Sequence, residues 1–235
     1  MKQNRYRFAA SGIVLLLFCL AVPSALAATA PQSLTLGGTR IILAEPPEHV
    51  WINKKREIAL LLAPKRYRNL IPHIASIYAY PSHNSLAAAY NNYSCLFFVG
   101  PKNKVWTKQD FAELTRYLLP EGKEQDAAHT AEGSAFLRAL LRDGMQFDVS
   151  EKRSEKYFAA VHQGIVLAQS PTSAVVARHN KEKGQKNTHA ILALALIRDK
   201  LIGLAYYQVA PDAMERERAE RAVAAWQKEL IAANQ

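Results

Sequence analysis

Hydrophobic residues along this chain follow two periods, and in one stretch they follow neither. From residue 190 the sequence runs Ala190-Ile191-Leu192-Ala193-Leu194-Ala195-Leu196-Ile197, apolar without interruption. Successive strand residues point to opposite faces, so Leu192, Leu194 and Leu196 share one face while Ala193 and Ala195 share the other. A strand with no polar face must be covered on both sides, and small alanines admit a close neighbour. The last helix is the expected cover. Around it the pattern predicts an antiparallel meander: strands at 158–168, 173–179, 189–198 and 201–209, a polar tip at 180–187, and a tight turn at Asp199-Lys200. Earlier, residues 34–36 and 39–43 flank Gly37-Gly38 as a hairpin, and Pro46-Pro47 ends it. Trp51 and Ile52 begin a further extended piece, and the apolar run 57–63 stops at Pro64. Residues 66–80 divide at Pro72 into a short helix and a strand from Ile74. A strand at 94–99 runs into a turn at 100–103.

Two middle segments and the C terminus carry the helical period. Thr107 and Asp110 form the Thr-x-x-acid signature of a helix start, followed by Phe111, Leu114 and Leu118 and closed by Pro120. A Thr cap of this kind is worth typically ~1 kcal/mol, because it satisfies an amide the helix leaves orphaned. A second helix starts at Thr130, carries Phe136, Leu137, Leu140 and Leu141, and stops at Asp143-Gly144. The polar stretch 121–126 between them is a loop. The last helix, 212–232, puts Ala219, Ala222, Val223, Trp226 and Leu230 on one stripe. Its other face mixes Glu215, Arg216, Arg218, Glu220 and Arg221. That mixture of signs suits a helix packed on its own sheet better than one lying on a membrane. The fold class these elements predict is α+β: an antiparallel sheet packed by helices, a single-domain sandwich closed by an amphipathic C-terminal helix.

The N terminus has a different character. Lys2, Arg5 and Arg7 precede an apolar run over 8–22, and Pro23, Ser24 and Ala25-Leu26-Ala27 follow it. This is the charged, apolar, small-x-small order of a secretory signal peptide, with cleavage after Ala27. The run is short for a bilayer span, which needs about 20 residues; an uncleaved anchor is the alternative. Cys19 lies within the run, between Phe18 and Leu20, and lacks the setting of a lipid-modified cysteine. Processing leaves residues 28–235 as one domain with Cys95 as its only thiol, which excludes an intramolecular disulfide. The whole chain carries a formal charge of +10; the leader removes three basic residues and no acidic one, leaving +7.

Such a surface favours anionic partners. Two clusters are candidate anion-binding sites: Lys54, Lys55 and Arg56, and Lys181, Lys183 and Lys186 at the hairpin tip. Solvated loop tips are the competing reading. No nucleic-acid module is present, and the exported address argues against that partner. The chain lacks a Gly-rich phosphate loop, a His-Glu-x-x-His helix, a Gly-x-Ser-x-Gly elbow and a Cys-x-x-Cys pair, so it calls for no cofactor. Of its seven histidines, His179 and His189 stand out. A hairpin symmetric about Gly184 sets them directly opposite, with Cβ atoms about 4.5–5.5 Å apart, close enough to share a metal ion. A metal site wants a third ligand, and the neighbouring lysines repel a cation; strand-end surface histidines are the plainer reading. Ser82-His83-Asn84-Ser85 after Pro81 is a turn that brings serine near histidine only locally.

The late meander, the turn in Ile197-Arg198-Asp199-Lys200-Leu201-Ile202 and the closing helix with Ala225-Trp226-Gln227-Lys228-Glu229-Leu230 resemble the PsbP-like α/β/α sandwich of exported bacterial and thylakoid-lumen proteins. The resemblance covers about the last third of the chain. It implies accessory or binding roles rather than catalysis and transfers no functional residue. The expected function is therefore an exported, non-catalytic accessory or binding protein of the bacterial envelope, periplasmic or secreted. Its expected partner is an anionic envelope component or an acidic protein, and the mature chain is expected to have no transmembrane span. The alternative is an envelope hydrolase with a Ser/Cys-His site. A cleft gathering such a nucleophile, a histidine and a carboxylate would promote it; a closed, packed sandwich would not.

Overall fold

A computed structural model describes residues 33–47, 49–51, 74–79, 92–119, 127–144, 150–152, 154–155, 164–180 and 187–235. Its strands are β1 (Ser33–Leu36), β2 (Thr39–Ile42), β3 (Val50–Trp51), β4 (Ile74–Ala79), β5 (Asn92–Phe98), β6 (Ile165–Ser170), β7 (Ser173–Asn180), β8 (Thr188–Ile197) and β9 (Lys200–Val209). The helices are α1 (Lys108–Leu118), α2 (Ala127–Ala139) and α3 (Ala213–Ala232). β1 and β2 form a hairpin; the other seven strands form one antiparallel sheet in the order β3-β4-β5-β9-β8-β7-β6. The α+β class read from the sequence is the class observed. Among the described residues, no helix is long and apolar enough to cross a membrane.

β9 is the middle strand and β8 lies beside it, so both are covered on two faces, as the apolar run requires. On one face Ile191, Ala193, Ala195 and Ile197 pack with Ile202, Leu204 and Tyr206 under Ala219, Val223, Trp226 and Leu230 of α3. The alanines admit the helix, and Trp226 reaches the sheet with no exposed surface left. Its indole donates to the Ala44 carbonyl at 2.7 Å and meets Tyr78 edge-on, with centroids 5.7 Å apart. On the other face Leu192, Leu194 and Leu196 pack with Trp106, Phe111 and Leu114 around α1, and with Leu137 of α2. The result is three layers, helix over sheet over helices.

Polar side chains lock these layers where apolar contact alone would let them slide. Asn234, just beyond α3, accepts from the Ile42 amide and donates to the Ile42 and Leu230 carbonyls, each at 2.8 Å. It thereby ties the β1-β2 hairpin to the helix end. Gln227 donates to the carbonyls of Ala174 and Leu194, so its buried amide is satisfied by β7 and β8. Two of the helix starts foreseen from sequence are observed and capped: Thr107 with Asp110, and Asp212 with Glu215, each pair bonding reciprocally.

Several boundaries differ from the sequence reading. The β8-β9 turn is Arg198-Asp199, one residue earlier than expected, with both residues at positive φ. Arg198 is held there by bonds to the Asn234 and Arg40 carbonyls, and Trp106 donates its amide to Asp199. Lys200 opens β9 instead and donates to the Lys104 carbonyl at 2.7 Å. α2 begins at Ala127, before Thr130, and continues into a π-helical turn over Leu140–Gly144. The strand expected at 158–168 is observed at Ile165–Ser170, closed onto β7 by a two-residue turn. Its earlier part, the run 57–63, the short helix before Ile74 and residues 1–27 lie outside the described residues.

One contact in the centre of the sheet depends on a missing side chain. The Phe97 ring of β5 lies over Gly203 of β9, its Cα partner; a Cβ at 203 would stand 2.2 Å from Phe97 Cζ. Gly203→Ala must push that ring out of the α1-α2 core and is expected to destabilise the fold by about 1–3 kcal/mol. Combining it with Phe97→Leu should recover part of the loss in a denaturant titration. Equal stability of Gly203→Ala and the parent would show that the ring does not need the glycine.

Candidate functional site

The cross-strand register brings chemistry to one end of the sheet, where β5, β9, β8 and β7 leave the middle of the sandwich. Two neighbouring rows cross these strands. Asn92, Gln208, His189 and His179 are successive Cα partners, and side-chain alternation puts them on the α3 face. The next row, Tyr93, Tyr207, Ala190 and Arg178, points to the opposite face.

On the α3 face the predicted opposition of His179 and His189 is observed: they are Cα partners, with ring centroids 6.2 Å apart. They differ in surroundings. His179 is exposed, whereas His189 is 2% exposed, beneath the first half of α3. His189 Nε2 lies 3.3 Å from a Glu220 carboxylate oxygen, yet neither ring nitrogen makes a well-formed hydrogen bond. Burial, then repulsion from His179 and Arg216, pushes the imidazole down to about 4; the nearby Arg178 backbone pulls weakly the other way. Glu220 is raised, by burial and by Glu217, against the pull of Arg216. Asn92 Oδ1 and Gln208 Oε1 in the same row are likewise buried without a hydrogen-bond partner. Among the described residues no group of three His, Cys, Asp or Glu is placed to hold a metal ion.

Beside this row lies a serine-histidine contact that the sequence did not reveal, because its partners are 45 positions apart: Ser94 Oγ is 3.0 Å from His49 Nδ1. The pair is packed against Tyr206, whose ring centroid is 4.8 Å from that of His49. Ser94 is 0% exposed, so no substrate carbonyl can reach its oxygen. Cys95 is no stronger a nucleophile; burial pushes its thiol up to about 12. Neither group supports the hydrolase reading. Ser82, His83 and Ser85 lie outside the described residues, as do the basic clusters Lys54, Lys55 and Arg56, and Lys181, Lys183 and Lys186.

The opposite face offers a pocket of about 310 Å³. Its floor is made by Ala190 and Ala205, small residues on the adjacent strands β8 and β9. Tyr93 and Tyr207 form one wall, their rings 5.5 Å apart and tilted by 35°. Val176 and Arg178 of β7 form the other. Among the described lining residues there is one cation and no carboxylate. A second cavity, about 420 Å³, lies between α1 and α2, with Trp106, Phe136, Asp110, Glu113 and Asp143 on its walls. Two of its carboxylates are already engaged, Asp110 in the α1 cap and Asp143 with Arg142 at 2.7 Å. The tyrosine-arginine pocket differs from it in having a cation and aromatic rings, and no carboxylate, among its described lining residues. No protein-family model matches this chain, and no curated protein matches it significantly.

His189 makes the fold acid-sensitive. In the folded chain it stays neutral to about 4, whereas an unfolded chain protonates it at the ordinary 6.5. Its contribution to stability is thus complete above 6.5 and is lost as the pH falls toward 4. Glu220 acts with the opposite sign, since a raised carboxyl favours the folded state at low pH, but its shift is the smaller. The unfolding midpoint should fall between pH 6.5 and 4, and His189→Gln should flatten that decline. An identical decline in the variant would remove His189 from the account.

Proposed function

We propose that this chain is an exported, non-catalytic accessory or binding protein of the bacterial envelope, taking an anionic partner. The observation that carries the reading is the pocket in which Arg178 faces two tyrosines across an alanine floor, with no carboxylate among its described lining residues. An apolar pocket with a few convergent polar groups is the usual form of a binding site. The excess of basic residues outside the leader adds long-range attraction for anions. The small-x-small exit after the N-terminal apolar run supports an extracytoplasmic address. The resemblance to PsbP-like sandwiches supports a binding rather than a catalytic role. The buried state of Ser94 and the raised thiol of Cys95 support the same choice.

Two measurements test this reading. The exported protein should begin at Ala28 by N-terminal sequencing; retention of residues 1–27 would overturn the processed, soluble form. Tagged protein recovered from its native envelope should hold an acidic protein or anionic lipid at low salt and release it at raised salt, with identification by mass spectrometry. Charge reversal at Arg178, at Lys54, Lys55 and Arg56, or at Lys181, Lys183 and Lys186 should each be compared with the parent. Capture is expected to fall several-fold in at least the Arg178→Glu protein. Unchanged capture in all three would refute an anionic partner bound through these residues.

A further inference from the structure

We propose that β6 is a docking edge for a second copy of this chain, and that two copies join there as an antiparallel pair about a two-fold axis. The edge shares no residue with the described lining of the tyrosine-arginine pocket, so the pairing stands or falls independently of the function proposed above.

β6 is the last strand of the seven-stranded sheet, bonded to β7 on one side and, among the described residues, to no strand on the other. A free edge presents unpaired amides and carbonyls to any extended chain, and proteins commonly blunt it with charge, proline or brevity. β3, at the opposite edge, is blunted by brevity, being two residues long. β6 has six residues, Ile165-Val166-Leu167-Ala168-Gln169-Ser170, with neither charge nor proline. Its apolar side chains are open as well. α3 lies over β8 and β9, which leaves Ile165 69% and Leu167 38% exposed, while Val166 packs against the α1-α2 core.

Three features select a copy of this chain as the occupant. The strand is its own complement: a two-fold axis through Val166 sets Ile165 of each copy opposite Leu167 of the other, so apolar residues meet apolar ones. Because the strand is uncharged, two copies of a basic chain meet where the strand itself brings no like charges together. The contact also closes. A two-fold pairing uses the long free edge of each copy, and the two-residue β3 is too short to seed a fibre from the other side. The register shift between Val166 and Ala168 bends the edge and keeps the contact short. The area so buried falls well below the roughly 1,200–2,000 Å² of standard interfaces, so the pair is weak and concentration-dependent.

Sedimentation velocity of the purified mature chain, from micromolar to near-millimolar concentration, tests the pairing. The mean mass is expected to rise toward that of two chains and no further. Ile165→Lys and Ile165→Glu should each weaken association about fivefold, as like charges come together beside the axis. An equimolar mixture of the two variants should restore it, because opposite charges then meet. Ile165 is already exposed, so each variant should unfold at the parent's temperature. In hydrogen exchange, the outward amides of β6 should gain protection as the concentration rises. A chain that stays monomeric throughout overturns the proposal: unprotected β6 amides then leave the edge to an extended segment of another protein, and protected ones assign it to a further segment of this chain. A dimer that both variants form as well as the parent places the contact elsewhere and overturns it too. Growth beyond two copies overturns the closed pair.

Discussion

The two central strands of this sheet have no polar face, and the architecture follows from the need to keep both of their faces from water. β8 presents alanines to one side and leucines to the other. Each fully buried large aliphatic side chain contributes about 1.5–3 kcal/mol relative to exposure, so an uncovered leucine face would be strongly unfavourable. The alanine side lets α3 approach closely enough for Trp226 to bond the Ala44 carbonyl and meet Tyr78. The leucine side takes the bulkier Phe111, Leu114 and Trp106. Residue size on one strand thus sorts which helices lie on which face.

The same constraint explains where chemistry can collect. Buried polar groups must be hydrogen-bonded or they destabilise the fold, so the fully covered middle of the sheet stays apolar. The buried polar groups that the C-terminal helix brings against it, Gln227 and Asn234, have their donors matched to backbone carbonyls. Polar and aromatic side chains instead gather in the two rows where the central strands run past the two cores. His189 and Gln208 on one face, and Arg178 and the tyrosines on the other, are one residue apart along their strands. Strand alternation alone separates the row of the buried histidine from the tyrosine-arginine pocket.

Hydrogen-bond reach does not by itself make a site reactive. The Ser94-His49 contact has a distance that nucleophilic catalysis would require, yet both side chains are buried and packed on Tyr206. Arg178 and its tyrosines, by contrast, are half-buried and line open space. Accessibility separates a buried pair from half-buried side chains that line a pocket.

Much of the scaffold was legible in the amino-acid order, because the signals involved are local. The apolar run 190–197 announced a doubly covered strand, Thr107 and Asp110 announced a helix start, and the symmetry about Gly184 placed His179 opposite His189. Hairpin register is set by the turn, so residues ten apart can be paired by counting. The Arg198-Asp199 turn was misplaced by one residue, since bonds to Arg40 and Asn234, remote in sequence, hold those residues at positive φ. The pocket was not legible at all. Tyr93 meets Tyr207 through β5-β9 pairing across more than a hundred residues, and Arg178 reads from sequence as one polar residue in an apolar strand. Local periodicity and turn chemistry determined the elements, their exposed and buried faces and the nearest pairings. Only the tertiary structure decided the order of distant strands, and with it the burial that lowers His189, seals Ser94 and sets an arginine across an alanine floor from two tyrosines.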